Sequence, residues 1–472
     1  MKTLICIPCL LTGGTEIQTL NTVHALVQEG HEVTVACYFE HTPYMVERYR
    51  KAGAKVLLFL PEGTRVGGYR AIPYLYKHLR RTIKEVRPDV THVQYMAPGA
   101  MVILLLWLMG VKNIIATVHT SADIYKDLRL IHFLQRHILR AFSCITERAE
   151  RSFFGSSQLY TTETVLGKRN HFTIYNALPA QMRCNVDANV DVDCLRDEDT
   201  QSVYDNVNVN ENNSQFTIDN SQLTISSGAA SLNPQPSSID LNLSCQQDLD
   251  TNLDTFTHMQ ACAALPDEDT HSVYVNENEN CHPDGNYKLN TKRTLGVVSR
   301  LEPIKGMDLV VPAFAEVLKK FPEVRLLVVG DGSLRATMEL QAAELGCADR
   351  ITWVGRQPQE ELAHWYGRMD IVLMPSRSEG FGLTAIEAMA NGCVMVASNV
   401  GGLPEVVHDG VCGMLHRTEN VQDMAAKVSE LLGDNELYSR LRTQALCEVE
   451  KYSFERYAKS ICDLYERLMV NG

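Results

Sequence analysis

The sequence predicts an α/β protein: two doubly wound, Rossmann-like domains with a long low-complexity insertion between them. Three observations carry this reading. Strand-length apolar runs alternate with helix-length segments through residues 1–183, the same rhythm resumes from Thr294, and between them every period is lost while the composition changes. The length of 472 residues favours two or three domains, and a content of 45% hydrophobic and 21% charged residues is that of an ordinary globular chain with a sizeable core.

In the first domain, 1–183, the strand-like runs are Thr3–Pro8, Glu32–Cys37, Lys55–Leu60, Val90–Val93 and Asn113–Val118. Helix-length segments Glu16–Gln28, Ala71–Val86 and Ala100–Met109 lie between them. Strands joined through helices pair in parallel, so the sheet is expected to be mostly parallel. In the second domain, 291–452, the strands are Leu295–Ser299, Val324–Val329, Ile351–Val354, Asp370–Met374 and Val394–Ala397. Three helical stretches follow, the last from about Ser453 to Met469, and the segment 453–472 is expected to pack back on the first domain.

Residues 184–290 differ in kind. They are rich in Asn, Asp, Ser, Thr and Gln, poor in aromatics, and cannot bury enough apolar surface to offset the entropy of ordering them, so a disordered insertion is expected. An internal echo, Asp197–Tyr204 against Asp267–Tyr274, is too short an array for a solenoid. The net charge of −13 also divides here: the insertion holds 19 acidic and 2 basic residues, while the other 365 residues hold 42 basic and 38 acidic ones. The folded part is therefore slightly basic. Lying between the two domains, the insertion is expected to project from their connection and to be cut first by protease.

Met1-Lys2 runs straight into strand-like Thr3–Ile7, so no secretory leader is expected. The longest apolar stretch, Met101–Val111, is about half of the roughly 20 residues that span a bilayer. A cytoplasmic location follows as the expectation, and the 14 scattered cysteines read as reduced thiols. Cys6-Ile7-Pro8-Cys9 ends a strand instead of opening a helix, so it is not read as a redox motif. No Asp-x-Asp lies where it would hold a metal, and neither metal nor cofactor is expected.

The chemistry concentrates in the second domain. Ser376–Ala390 follows a buried strand and contains Glu379-Gly380-Phe381-Gly382-Leu383, with a helix opening at about Leu383. Glycines at a strand-to-helix turn let backbone N–H groups approach an anion closely, and the helix N-terminus adds partial positive charge, so phosphate is the natural guest. Glu379 and Glu387 lie eight residues apart, the second roughly 6–12 Å farther along at 1.5 Å per helical residue. Carboxylates accept paired hydrogen bonds from vicinal hydroxyls, which suits sugars flanking a diphosphate. Arg300 and Lys305, on the loop after the domain's first strand, supply cations for that diphosphate, and both loops open at strand C-termini, where a crevice forms.

As a set, Arg300 with Lys305-Gly306, Val328–Leu334, Val354-Gly355, Glu379–Gly382 with Glu387, Gly401–Glu405 and Gly410 resemble glycosyltransferase family 4. Gly13-Gly14-Thr15-Glu16, Pro88–Val93 and Thr117–Thr120 are similar to that family's first-domain motifs. The resemblance implies the GT-B fold and retaining, metal-independent hexosyl transfer, as in bacterial cell-surface polysaccharide and glycolipid glycosyltransferases. It assigns Arg300 and Lys305 to the diphosphate, Glu379 to the transferred sugar, His119 to the donor sugar or acceptor, and Glu387 to the ribose. The backbone of Gly380, Phe381, Gly382 and Leu383 falls to the sugar and its phosphate, that near Arg356 to the base, and Gly14 faces the donor across the cleft.

Partners implied are a nucleoside diphosphate sugar and a glycan or lipid-linked acceptor. Two basic stretches of the first domain, Arg70 to Arg87 and Lys126 to Arg140, raise peripheral contact with anionic membrane; no aromatic-interleaved basic motif points to nucleic acid. The alternatives are a sugar-nucleotide epimerase of the same fold and a non-catalytic sugar-nucleotide-binding or interaction protein.

Overall fold

The computed structural model describes residues 1–62, 71–164, 170–179, 182 and 293–470. The insertion expected at 184–290 and Arg70 lie outside the described residues. The described parts of the two halves belong to one compact unit.

The first half runs β1 (Lys2–Ile7), α1 (Gly14–Gln28), β2 (Glu32–Cys37), α2 (Pro43–Lys51), β3 (Lys55–Leu58), α3 (Ala71–Val86), β4 (Val90–Gln94), α4 (Met96–Leu108), β5 (Ile114–Val118), α5 (Arg129–His137), β6 (Ala141–Cys144), α6 (Glu147–Phe154) and β7 (His171–Thr173). Its sheet is parallel, in the order β3-β2-β1-β4-β5-β6-β7. The second half runs β8 (Thr294–Val298), α7 (Val310–Leu318), β9 (Arg325–Val329), α8 (Arg335–Glu344), β10 (Ile351–Gly355), α9 (Leu362–Tyr366), β11 (Ile371–Met374), α10 (Leu383–Ala390), β12 (Val394–Ser398), α11 (Leu403–Val406) and β13 (Gly413–His416). Its parallel order is β10-β9-β8-β11-β12-β13, the same winding. The strand order of each sheet reverses once, between β1 and β4 and between β8 and β11. At such a switch point the two flanking loops splay apart, and ligands of open α/β sheets sit there.

The cores explain the strands. Leu4, Ile5, Cys6 and Ile7 of β1 are fully buried, as are Ile371 and Val372 of β11, because helices cover both sheet faces and leave no polar side to alternate with. Three helices close the described chain: α12 (Val421–Gly433), α13 (Asn435–Val449) and α14 (Phe454–Val470). The last crosses back to the first half. Its buried Ile461, Leu464, Tyr465 and Leu468 recur at helical spacing and join the core formed by β1 and α1. Each such side chain taken from water contributes roughly 1.5–3 kcal/mol. Tyr457 reaches Thr22 of α1 at 2.7 Å and Tyr160 donates to Asp463 at 2.6 Å, so the seam is hydrogen-bonded as well as apolar.

Several elements go beyond the sequence reading. Helix α2 begins at Pro43 under a Thr42 cap that accepts from Met45 N–H, a short polar helix without a long apolar period. Strand β7 is three residues long and is held by pairing with β6, too short for any pattern to register.

Candidate active site

The switch point of the second sheet is built by close approach of backbone. Gly306, at φ +66°, packs so tightly on the carbonyl of Pro375 that a Cβ there would stand 1.9 Å from its oxygen. Gly401, at φ +58°, lies equally close to the Glu379 carbonyl, and Gly402 N–H donates to that oxygen at 3.0 Å. Arg377 clamps the loop after β8 to the loop after β11: its guanidinium forks to Asp308 at 2.7 and 2.8 Å and also reaches Glu419 and the Pro303 carbonyl. These carboxylates hold the Arg377 guanidinium above its ordinary basicity, so the clamp stays charged.

Within this frame Lys305 Nζ donates to Glu379 Oε2 at 2.7 Å, both side chains partly buried. Gly380 and Phe381 follow, and Gly382, at φ +108°, caps the N-terminus of α10, which starts at Leu383. Glu387 lies on the second turn of α10 and is buried. Tyr366 Oη donates to its Oε2 at 3.1 Å and Gln359 Nε2 to its Oε1 at 3.4 Å. Burial pushes the Glu387 carboxyl up to about 7, with both hydrogen bonds opposing it. Arg300, on the loop after β8, is exposed.

The first half meets this surface at several points. A Cβ on Gly14 would touch Leu383 at 3.4 Å, and one on Gly380 would stand 2.3 Å from the His119 carbonyl oxygen. Arg356 reaches Thr12 at 3.4 Å, Tyr44 donates to Glu360, and Arg48 donates to Gln359. Glu405 of α11 accepts from the backbone N–H groups of Glu147 and Arg148 at the start of α6, a carboxylate at a helix N-terminus. Arg300 acts electrostatically on Glu16 and Tyr95 of the first half: burial pushes the Glu16 carboxyl up and the Arg300 charge opposes it.

The structure therefore brings Gly14, His119, Arg300, Lys305, Glu379, Gly380, Phe381, Gly382, Leu383 and Glu387 to the facing loops and helix starts at the two switch points, with Arg356 on the loop after β10. His119 is buried, and burial lowers its pKa to about 3, so its imidazole is neutral. Sequence reading missed Tyr95, a bulky residue at φ 64° and ψ 116° whose ring lies 5.3 Å from that of His119. Such a conformation is held only where the surroundings over-determine it. It also missed Arg377, Tyr366 and Gln359, which hold the predicted residues in place. No group of side chains suited to a metal ion occurs among the described residues.

A doubly wound pair of sheets whose switch-point loops meet, one of them carrying a glycine-rich turn flanked by carboxylates and cations, is the frame of a GT-B protein. Residues 283–446 match the model of glycosyl transferases group 1, and residues 12–160 match that of Glycosyltransferase Family 4. The chain belongs to the glycosyltransferases that combine these two domains. Among curated proteins it is similar to D-inositol 3-phosphate glycosyltransferase of Nocardia farcinica, 39% identical over 176 residues that cover 36% of this chain and 39% of that one. The corresponding protein of Segniliparus rotundus is 36% identical over 190 residues, covering 39% and 41%. The match spans about two fifths of the length of these relatives. Among solved structures, Anabaena HepE in complex with UDP aligns over 99% of this chain and 100% of that one, with a TM-score of 0.63 at 14% identity. The lipopolysaccharide outer core galactosyltransferase WaaB aligns over 99% and 100%, with a TM-score of 0.60 at 15% identity. These two likenesses show the fold.

Proposed function

We propose that the protein is a retaining glycosyltransferase that moves a hexose-type sugar from a nucleoside diphosphate sugar to a hydroxyl of a glycan or lipid-linked acceptor, in cell-surface polysaccharide or glycolipid biosynthesis. The observation that carries this is the Lys305–Glu379 pair at 2.7 Å beside the Gly380–Leu383 turn and the α10 N-terminus, at a switch point. As the anomeric bond breaks, negative charge grows on the leaving diphosphate. Lys305, Arg300 and the N–H groups of the turn are placed to stabilise it, and such preorganised donors are commonly the largest single term in catalysis. Glu379, whose Oε2 accepts from Lys305 Nζ at 2.7 Å, accepts from sugar hydroxyls with its remaining lone pairs. Glu387 receives the ribose hydroxyls, Arg356 lies by the base, and Gly14 and His119 close the site from the first half. No metal is needed in this scheme, because the cations are the protein's own.

The names of the curated relatives support a second acceptor, an inositol phosphate. Exposed Leu130 and Phe133 on α5 alternate with exposed Lys126, Arg129 and Arg136, and Trp107 and Leu108 are exposed at the end of α4, which supports docking at the inner face of a membrane. No helix among the described residues is long and apolar enough to cross a membrane. The test is a thermal-shift screen of nucleoside diphosphate sugars, since a ligand of the folded state raises its melting temperature. Transfer assays with lipid-linked and inositol phosphate acceptors follow. If no nucleoside diphosphate sugar shifts the melting temperature, the reading is wrong; transfer to inositol phosphate alone replaces the acceptor.

A further inference from the structure

The inner strands of the first sheet carry a buried chain of polar side chains that ends at His119. Tyr465 Oη of α14 lies 2.7 Å from His92 Nδ1, and His92 Nε2 lies 2.7 Å from Thr117 Oγ1. Gln94, two residues along β4 and so on the same face as His92, places its Nε2 3.4 Å from His92 Nε2. Its Oε1 lies 2.8 Å from His119 Nε2. Tyr465, His92, Gln94 and His119 are all buried, where an unsatisfied polar group is costly.

We propose that Gln94 is a positioning residue of the transfer reaction: its amide carbonyl holds His119 as the Nε2–H tautomer, so that Nδ1 remains a bare acceptor for a substrate hydroxyl. This role rests on the transferase reading above. The hydrogen bond made by one ring nitrogen sets the state of the other. With the Gln94 carbonyl on His119, its NH₂ faces the His92 Nε2 lone pair, His92 carries its proton on Nδ1 and donates to Tyr465, and the Thr117 hydroxyl donates to His92 Nε2. The Thr117 hydroxyl, at 2.7 Å, then takes the single His92 Nε2 lone pair, and the Gln94 NH₂ at 3.4 Å makes only a weak contact with it. His119 Nδ1 has no partner among the described residues and is not among the sealed, unpartnered nitrogens. The His119 carbonyl lies against Gly380 of the donor turn, which puts the residue beside that turn.

The neighbouring titratable groups do not disturb this. His92 is held down to about 3 by burial, burial raises the Tyr95 hydroxyl, and no charged side chain contributes to the shift of His119 itself. Glu16 and Arg300 act on Tyr95. Burial keeps the imidazole neutral across the physiological range, and the amide carbonyl on Nε2–H leaves Nδ1 the acceptor. A carboxylate in the same place would stabilise the imidazolium and turn Nδ1 into a donor.

The test is nitrogen-15 NMR of the full chain labelled at its 15 histidines, the His119 signals being identified by their loss in His119→Gln, alongside a pH–rate profile of sugar transfer. The native protein is expected to show the Nε2–H tautomer unchanged from pH 5 to 8 and a rate with no acid limb from this group. Gln94→Glu is expected to bring an imidazolium into that range, with kcat falling about tenfold per pH unit below the new pKa. Gln94→Leu is expected to mix the tautomers and lower kcat at every pH with no new ionisation. A native Nδ1–H tautomer overturns the proposal, as does a Gln94→Glu protein with unchanged spectrum and profile; neither depends on Gln94→Leu folding. The Nε2–H signal in a protein that transfers no sugar overturns the transferase reading and leaves the tautomer assignment standing.

Discussion

The two sheets share one winding and differ in how their switch points treat polar groups. In the first half the polar side chains between β4 and β5 bond to one another, and His92 and His119 are held neutral by burial. In the second half the charged groups pair only partly: Lys305 and Glu379 meet at a rim that remains part-exposed, and Arg300 stays in solvent. The same frame thus carries a neutral wall and a charged wall. A neutral wall can hold a hydroxyl in one orientation, while a charged wall can follow the growth of charge on a diphosphate.

The comparison breaks most sharply at Lys305. Lys305→Ala removes the cation and strands the Glu379 carboxylate, and transfer is expected to fall about 10²–10³-fold in kcat with the fold intact by circular dichroism. A loss under about fivefold would mean that the charged wall does not carry the chemistry. Next come two glycines on opposite walls. Gly380→Ala drives a Cβ to 2.3 Å from the His119 carbonyl, whereas Gly14→Ala meets only the end of Leu383 at 3.4 Å. Gly380→Ala is expected to cost roughly ten times more in kcat/KM than Gly14→Ala, because backbone yields less than a side chain. Equal losses would mean that the halves do not work at this spacing.

Glu387 sharpens the contrast through pH. Its carboxyl sits at about 7 in the folded protein against an ordinary 4.5, so the folded state is the better proton binder. That contribution to stability is complete below pH 4.5 and is lost as pH rises through about 7. Glu387→Gln should therefore be more stable than the native chain by up to about 3 kcal/mol at pH 8, with the gain falling to about 1 kcal/mol at pH 5 and vanishing below pH 4, in urea denaturation. Donor affinity should fall roughly tenfold in calorimetry, since an amide accepts fewer hydrogen bonds than a carboxylate. The smallest effect belongs to the α14 seam: Tyr457→Phe deletes one hydrogen bond to Thr22 and is expected to cost about 1 kcal/mol with little change in rate.

The sequence made the fold legible where period and glycine chemistry coincide. The helix at Leu383 begins where the Gly380-Phe381-Gly382 turn requires, and α3 spans Ala71–Val86 as its apolar spacing predicts. What it hid depends on long-range packing. Tyr366 lies 21 residues from the Glu387 it supports, and Arg377 lies 69 from its partner Asp308. Neither residue differs locally from an ordinary core tyrosine or a solvated arginine. The backbone of Tyr95 and the buried placement of Gln94 leave no trace in composition or spacing, because strand pairing with β5 imposes them.

The return of α14 to the first half also orders events in time. Thr22 and Tyr457 are 435 residues apart, so at ~5–20 residues per second about 20–90 s of synthesis separate them. During that interval the nascent first half presents the apolar groove that Ile461, Leu464 and Leu468 will later fill. The second half is complete on the ribosome before the first can be finished, and a chaperone that covers the groove would act on this protein early.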